Sequence, residues 1–161
     1  MGASNGKHCS PVNGAQPQYE LRAKLISSSD TQLEVWQLPS AASPHLKKAK
    51  RIAGLHGRNL ALLEPRVLPR LKRADIDLGG MGPGAERCFA VNELLALQLG
   101  LMFRSLAPMR DRFNMQQVAE GIEAMEKEEA AYWLGMAMHR KYPRRVLMSL
   151  RHLLIDPKMG R

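Results

Sequence analysis

Aromatic residues make up only 5% of this 161-residue chain, with three Phe, three Tyr and two Trp. So thin a supply argues against a single-strand nucleic-acid platform, which stacks successive bases on rings. Cysteine is as scarce. Cys9 and Cys88 are too few and too far apart for a disulfide framework, and they point to a reducing compartment. None of the five histidines stands at metal-ligand spacing from a cysteine, so no metal or other cofactor is expected. The N-terminal stretch MGASNGKHCSPVNGAQPQ has no apolar segment of the secretory kind. It also misses the myristoylation pattern, because Gly6 stands where Ser or Thr is required. Cytoplasm is the location this reading expects. Acidic residues are the minority charge, 15 against 24 Lys and Arg, for a net +9. That balance speaks to partners rather than to fold: nucleic acid, an acidic protein surface or an anionic membrane.

Hydrophobic residues at 45% exclude a wholly disordered chain. The length is enough for one domain to bury a core without staples. The most apolar stretch, Arg87 to Ala107, carries Val91, Leu95, Met102 and Leu106 on one helical stripe and Leu94, Leu97 and Leu101 on another. A helix apolar nearly all round lies in a core or a membrane. Asn92, Glu93, Gln98 and Arg104 interrupt it, so it is assigned to the core and no membrane association is expected.

Residues 1–16 are rich in Gly, Ser, Asn and Pro and are expected to be a disordered tail, leaving 17–161 as a single domain. Tyr19 to Leu25 and Leu33 to Leu38 alternate apolar with polar residues around the turn cluster Ser27–Asp30, which predicts a β-hairpin. Residues 45–59 are basic and resist assignment, with Gly54 and Gly57 arguing against a long helix. From Leu60 the spacing predicts a helix to about Arg73, with Pro65 in its first turn and Pro69 a conflict that should kink or shorten it. Asn114 as cap, Gln117 three residues on and Phe113 before the cap predict a long helix to about Lys141. Tyr142-Pro143 ends it, and a last helix, 143–155, buries Val146, Leu147, Leu150, Leu153 and Leu154. The fold class is therefore α+β: an N-terminal β-hairpin packed on a mainly helical bundle with a buried central helix.

No catalytic motif is present. The glycine-rich run Gly79 to Gly84 matches neither phosphate-binding fingerprint and reads as a connection. Glu129 falls at the centre of the stripe Val118 to Met136 and is expected to be a buried structural carboxylate, with Gln98 and an Arg as its candidate partners. Three basic clusters stand out. Lys47, Lys48, Lys50 and Arg51 form one and Arg66, Arg70, Lys72 and Arg73 another, and all of these but Lys72 are the candidate polyanion-binding set. Arg140, Lys141, Arg144, Arg145 and Arg151 are the third, and on the last helix Arg144, Met148, Arg151 and Ile155, with Arg145 and His152 at the rim, mix Arg and apolar residues as partner-binding faces do.

The run H-R-x-x-P-R-R-V-L, His139 to Leu147, within residues 115–157, resembles small bacterial proteins met beside restriction, methylation and helicase genes of phage-defence neighbourhoods. The resemblance implies a non-catalytic role beside a larger nucleic-acid machine and transfers no catalytic residue. Three readings follow. The first is an accessory subunit binding a larger, DNA-acting protein assembly. The second is direct, sequence-independent nucleic-acid binding. The third is a small enzyme using Glu129 with His139. A small-molecule substrate is not expected.

Overall fold

The computed structural model describes residues 16–27, 30–106, 112–139 and 143–155, without the side chains at 58–59, 62–64, 112–114 and 143–144. Four strands and five helices follow in the order β1 (Gln18–Ser27), β2 (Asp30–Leu38), β3 (Lys50–His56), α1 (Arg58–Arg73), β4 (Glu86–Val91), α2 (Glu93–Leu106), α3 (Arg112–Glu123), α4 (Lys127–His139) and α5 (Pro143–Leu154). The expected α+β class holds, and so does the hairpin. The expected tail lies outside the described residues but for Gln16, and so do the side chains of the Asn114 cap and the Phe113 staple.

The sheet runs β3-β2-β1-β4, antiparallel throughout. Leu21 pairs with Val35 and Phe89, and Leu33 with Ala23 and Leu55. Residues of period two thus share one face, and Tyr19, Leu21, Ala23, Leu33, Val35, Ala53 and Leu55 are all buried on it. A bulge between Val35 and Trp36 leaves Ile52 extra on β3, so Ile52 and Ala53 are buried side by side. The bulged strand keeps its partner helix by a side-chain bond: Arg104 of α2 donates through Nε to the Ile52 carbonyl at 2.7 Å. Burial, and then the charge of Arg51, hold the Arg104 guanidinium below its usual range.

α2 is the buried centre, with eleven of its fourteen residues inaccessible. It packs most extensively on α4 and also touches β1, β2, β3, α3 and α5. It starts at Glu93, not at Arg87. Residues 86–91 alternate sides as an edge strand on β1, and Asn92 caps the helix by accepting the Leu95 N–H at 2.8 Å. The segment 45–59, unassigned from sequence, yields β3. α1 runs unbroken through Pro65 and Pro69. The two prolines stand four apart on the exposed side, where water can satisfy the carbonyls that lose their N–H partners. α1 ends in a Schellman motif: Asp75 takes the left-handed conformation at φ 60°, its N–H bonds to the Lys72 carbonyl, and the Ile76 N–H reaches the Leu71 carbonyl at 2.9 Å.

The long helix expected from Asn114 to Lys141 is two helices. The chain turns at Ala124–Glu126, where the Gln98 amide nitrogen donates to the carbonyls of Glu123 and Met125, both at 3.1 Å. This break overturns the reading of Glu129. The stripe Val118 to Met136 assumed one helical phase; α4 restarts it, buries Ala130, Leu134 and Ala137, and leaves Glu129 exposed. Gln98 is buried as expected, but its partners are backbone carbonyls and Arg70.

Tyr19 supplies a pH-dependent test of this core. It is 7% exposed, and burial, with a smaller contribution from the Glu93 charge, pushes its phenol from 10.0 to about 12. A phenol that ionises later in the folded than in the unfolded chain stabilises the fold fully below pH 10 and loses that contribution as pH rises from 10 to 12. Urea unfolding across this window should show stability falling by about 2 kcal/mol beyond the common alkaline slope, and Tyr19→Phe should remove the excess. Equal slopes for the two proteins would contradict the placement of Tyr19.

Candidate functional site

α5 meets α2, α3 and α4 through Val146 and Leu150, which are fully inside, and through Leu147, Leu154 and Ile155, which are half-buried. Leu154 is drawn in because Gly121 of α3 has no side chain: a Cβ there would come within 2.6 Å of a Leu154 methyl. Leu153 turns out and is 47% exposed, against the expectation that it is core. Ile155 moves the other way, from the expected docking face to the margin of the core.

The outward face of α5 consists of Arg145, Met148, Ser149 and His152, bordered by Leu153. Met148 is 50% exposed. Arg151 is half-buried at the flank, and the Arg144 side chain lies outside the described residues. Residues 143–154 contain no Asp or Glu, and among the described residues no ion pair engages Arg145 or Arg151. Four of the six expected docking residues, Arg145, Met148, Arg151 and His152, are thus grouped, and Leu153 is the member that sequence reasoning missed. The helical pattern alone does not mark it, since Leu153 is seven residues from the buried Val146; the space over Gly121 that takes Leu154 belongs to α3.

The seven expected polyanion-binding residues divide. Lys47, Lys48 and Lys50 are exposed around the start of β3, and Arg51 beside them pairs with Glu34 at 3.0 Å. The α1 arginines instead tie that helix to α2 and α3. Arg66 donates to Gln116 at 2.7 Å, Arg70 to Gln98 at 2.8 Å, and Arg73 to Glu123. Glu129 and His139 are both exposed and ten residues apart on α4, roughly 15 Å along the axis, too far to act on one bond. Among the described residues no group of three His, Cys, Asp or Glu could hold a metal.

The sheet face turned away from the helices carries a polar network that alternation alone marked only as solvent-facing. The Glu34 carboxylate accepts from Gln32 at 2.7 Å and Trp36 at 2.9 Å besides its pair with Arg51. The Arg22 guanidinium stacks 4.0 Å over Trp36 and bonds Glu20 at 2.7 Å. Glu20 is wholly buried, with one carboxylate oxygen unpartnered. Cys88 lies on the same face, opposite Arg22.

A cleft of about 630 Å³ lies at the other side of the sheet, between the hairpin end, α1 and the loop after it. That loop, expected as a flexible connection, is pinned. The Asp77 carboxylate accepts the Gly79 N–H at 2.8 Å, and one Arg87 nitrogen donates to the carbonyls of Asp77 and Gly79 at 3.1 and 2.8 Å.

No helix among the described residues is long and apolar enough to cross a membrane. A family model described as a domain of unknown function, DUF7680, matches residues 19–156. No curated protein and no solved structure matches the chain.

Proposed function

The chain belongs to the DUF7680 family, and we propose that it is a non-catalytic accessory subunit that docks on a larger protein assembly through the outward face of α5. The observation that carries this reading is the composition of that face. Two large apolar residues, Met148 and Leu153, stand about half exposed beside Arg145 and His152, on a helix without a carboxylate of its own. Arg and Met are enriched in interfaces, and a solvated helix face would ordinarily be polar throughout. The unpaired cations fit an acidic surface on the partner. That the assembly acts on DNA rests on the sequence resemblance of His139 to Leu147.

The test is purification of the tagged chain from its native host, with identification of what travels with it. Met148→Glu combined with Leu153→Glu should abolish recovery of the partner protein and leave the melting temperature within about 2 °C, since both side chains face water. A double variant that folds and still recovers the partner would refute the assignment. Direct nucleic-acid binding through Lys47, Lys48 and Lys50 would instead give tight binding to bare duplex that falls steeply with added salt.

A further inference from the structure

The cleft beneath the hairpin end has the make-up of a ligand site, and we propose that it binds a small amphiphile with an apolar chain and a carboxylate head, held by Lys72. This inference stands apart from the docking role of α5. The volume, about 630 Å³, is that of a small-molecule pocket, for which roughly 300–1,000 Å³ is usual. Leu33 and Ile76 are its buried apolar members. Leu25, Leu68, Leu78 and Met81, each half-buried, leave part of their apolar surface to the cleft. Apolar surface kept open this way needs walls that do not collapse, and each wall here is fixed. The Schellman turn places Ile76 beside Leu71, and Arg87 clamps the loop from β4 through two carbonyls.

Lys72 is the cation that the mouth offers to a head group. Lys72 and Asp77 are the ionisable residues of the lining, and both are exposed. The Asp77 carboxylate is already engaged by the Gly79 N–H. Arg70 and Arg73, neighbours of Lys72 on α1, are directed to Gln98 and Glu123. Lys72 has no ion pair among the described residues. An ammonium of this kind, on a chain of net charge +9, favours an anionic head over a neutral or cationic one.

Calorimetric titration of the full-length chain with laurate, below its micelle concentration, tests the proposal, with the corresponding fatty alcohol as the uncharged probe. Laurate should bind saturably at one site. Lys72→Glu should weaken laurate about fivefold or more and leave the alcohol unchanged. Lys72 is exposed, so the variant should melt with the wild type. Leu78→Arg, which puts charge into the apolar wall, should weaken both probes. Failure of laurate to bind the wild type, or equal laurate binding by wild type and Lys72→Glu, would overturn the proposal.

Discussion

Replacing Gln98 with leucine should lower stability by about 3 kcal/mol and the melting temperature by roughly 10 °C. The side chain is 1% exposed, and three of its four hydrogen-bonding positions are used. Its amide nitrogen donates to the carbonyls of Glu123 and Met125, the two groups left over where α3 stops and the chain turns toward α4. Its oxygen accepts from Arg70 of α1. Leucine fills nearly the same volume but leaves two carbonyls without this donor and one guanidinium without this acceptor, and an unsatisfied buried group costs about 1–3 kcal/mol. Arg70 keeps Glu123 nearby at 3.8 Å, which limits the loss on that side. Glu129→Ala is the contrasting case. Glu129 is exposed and should change stability by no more than about 0.5 kcal/mol. Denaturant titration of the two variants separates these roles; a Gln98→Leu protein as stable as wild type would mean that the α3–α4 turn is held by other contacts.

This pair also shows where sequence reading works and where it stops. The hairpin was legible because alternation of period two is local and its turn residues are Ser and Asp. The central helix was legible because so many apolar residues in a row leave no solvent face. Its start was not, because Cys88, Phe89 and Val91 suit a helix as well as an edge strand; the cap that decides is Asn92, and its register on β1 is a long-range fact. The break after Glu123 carries no Pro, and the one Gly nearby, Gly121, lies inside α3. Nothing local announces a turn held by a residue 25 positions upstream. Helical phase carried through that break puts Glu129 on the buried side, whereas α4 exposes it.

The candidate faces were legible to a similar depth. A cluster of arginines on α1 reads as a polyanion surface from composition, yet burial of the neighbouring helix converts Arg70 and Arg73 into ties to Gln98 and Glu123. The lysines at 47, 48 and 50, on a connection and an edge strand, meet no such partner among the described residues. On α5 the pattern gave the helix and most of its outward face. The exchange of Leu153 for Ile155 depended on the space over Gly121, which belongs to another helix. The cleft under the hairpin was invisible, because its walls come from β1, β2, α1 and a pinned loop, segments up to about fifty residues apart.

Gly100→Leu is expected to destabilise the fold by about 3 kcal/mol, and its contrast with Gly100→Ala fixes the reason. Glycine inside a buried helix is costly by about 1 kcal/mol relative to alanine, so its presence calls for a spatial cause. A Cβ at this position would stand 3.2 Å from a Leu134 methyl of α4 and 3.3 Å from the Ile52 Cγ2 on β3. Here α2 lies between the helix it packs most extensively against and the bulged residue of an edge strand. Alanine needs only a few tenths of an ångström from the Leu134 side chain, and the gain in helix propensity offsets it. Gly100→Ala should thus lie within about 1 kcal/mol of wild type. Leucine adds three further carbons where the adjoining residues are already fully packed, and Ile52 cannot retreat without displacing the carbonyl that Arg104 holds. The melting temperature should fall by roughly 10 °C. Leu134→Ala in the same chain should recover part of that loss, because it empties volume on the α4 side. A Gly100→Leu protein that melts with the wild type would show that α2 and α4 do not approach this closely; a loss untouched by Leu134→Ala would place the clash on β3 instead.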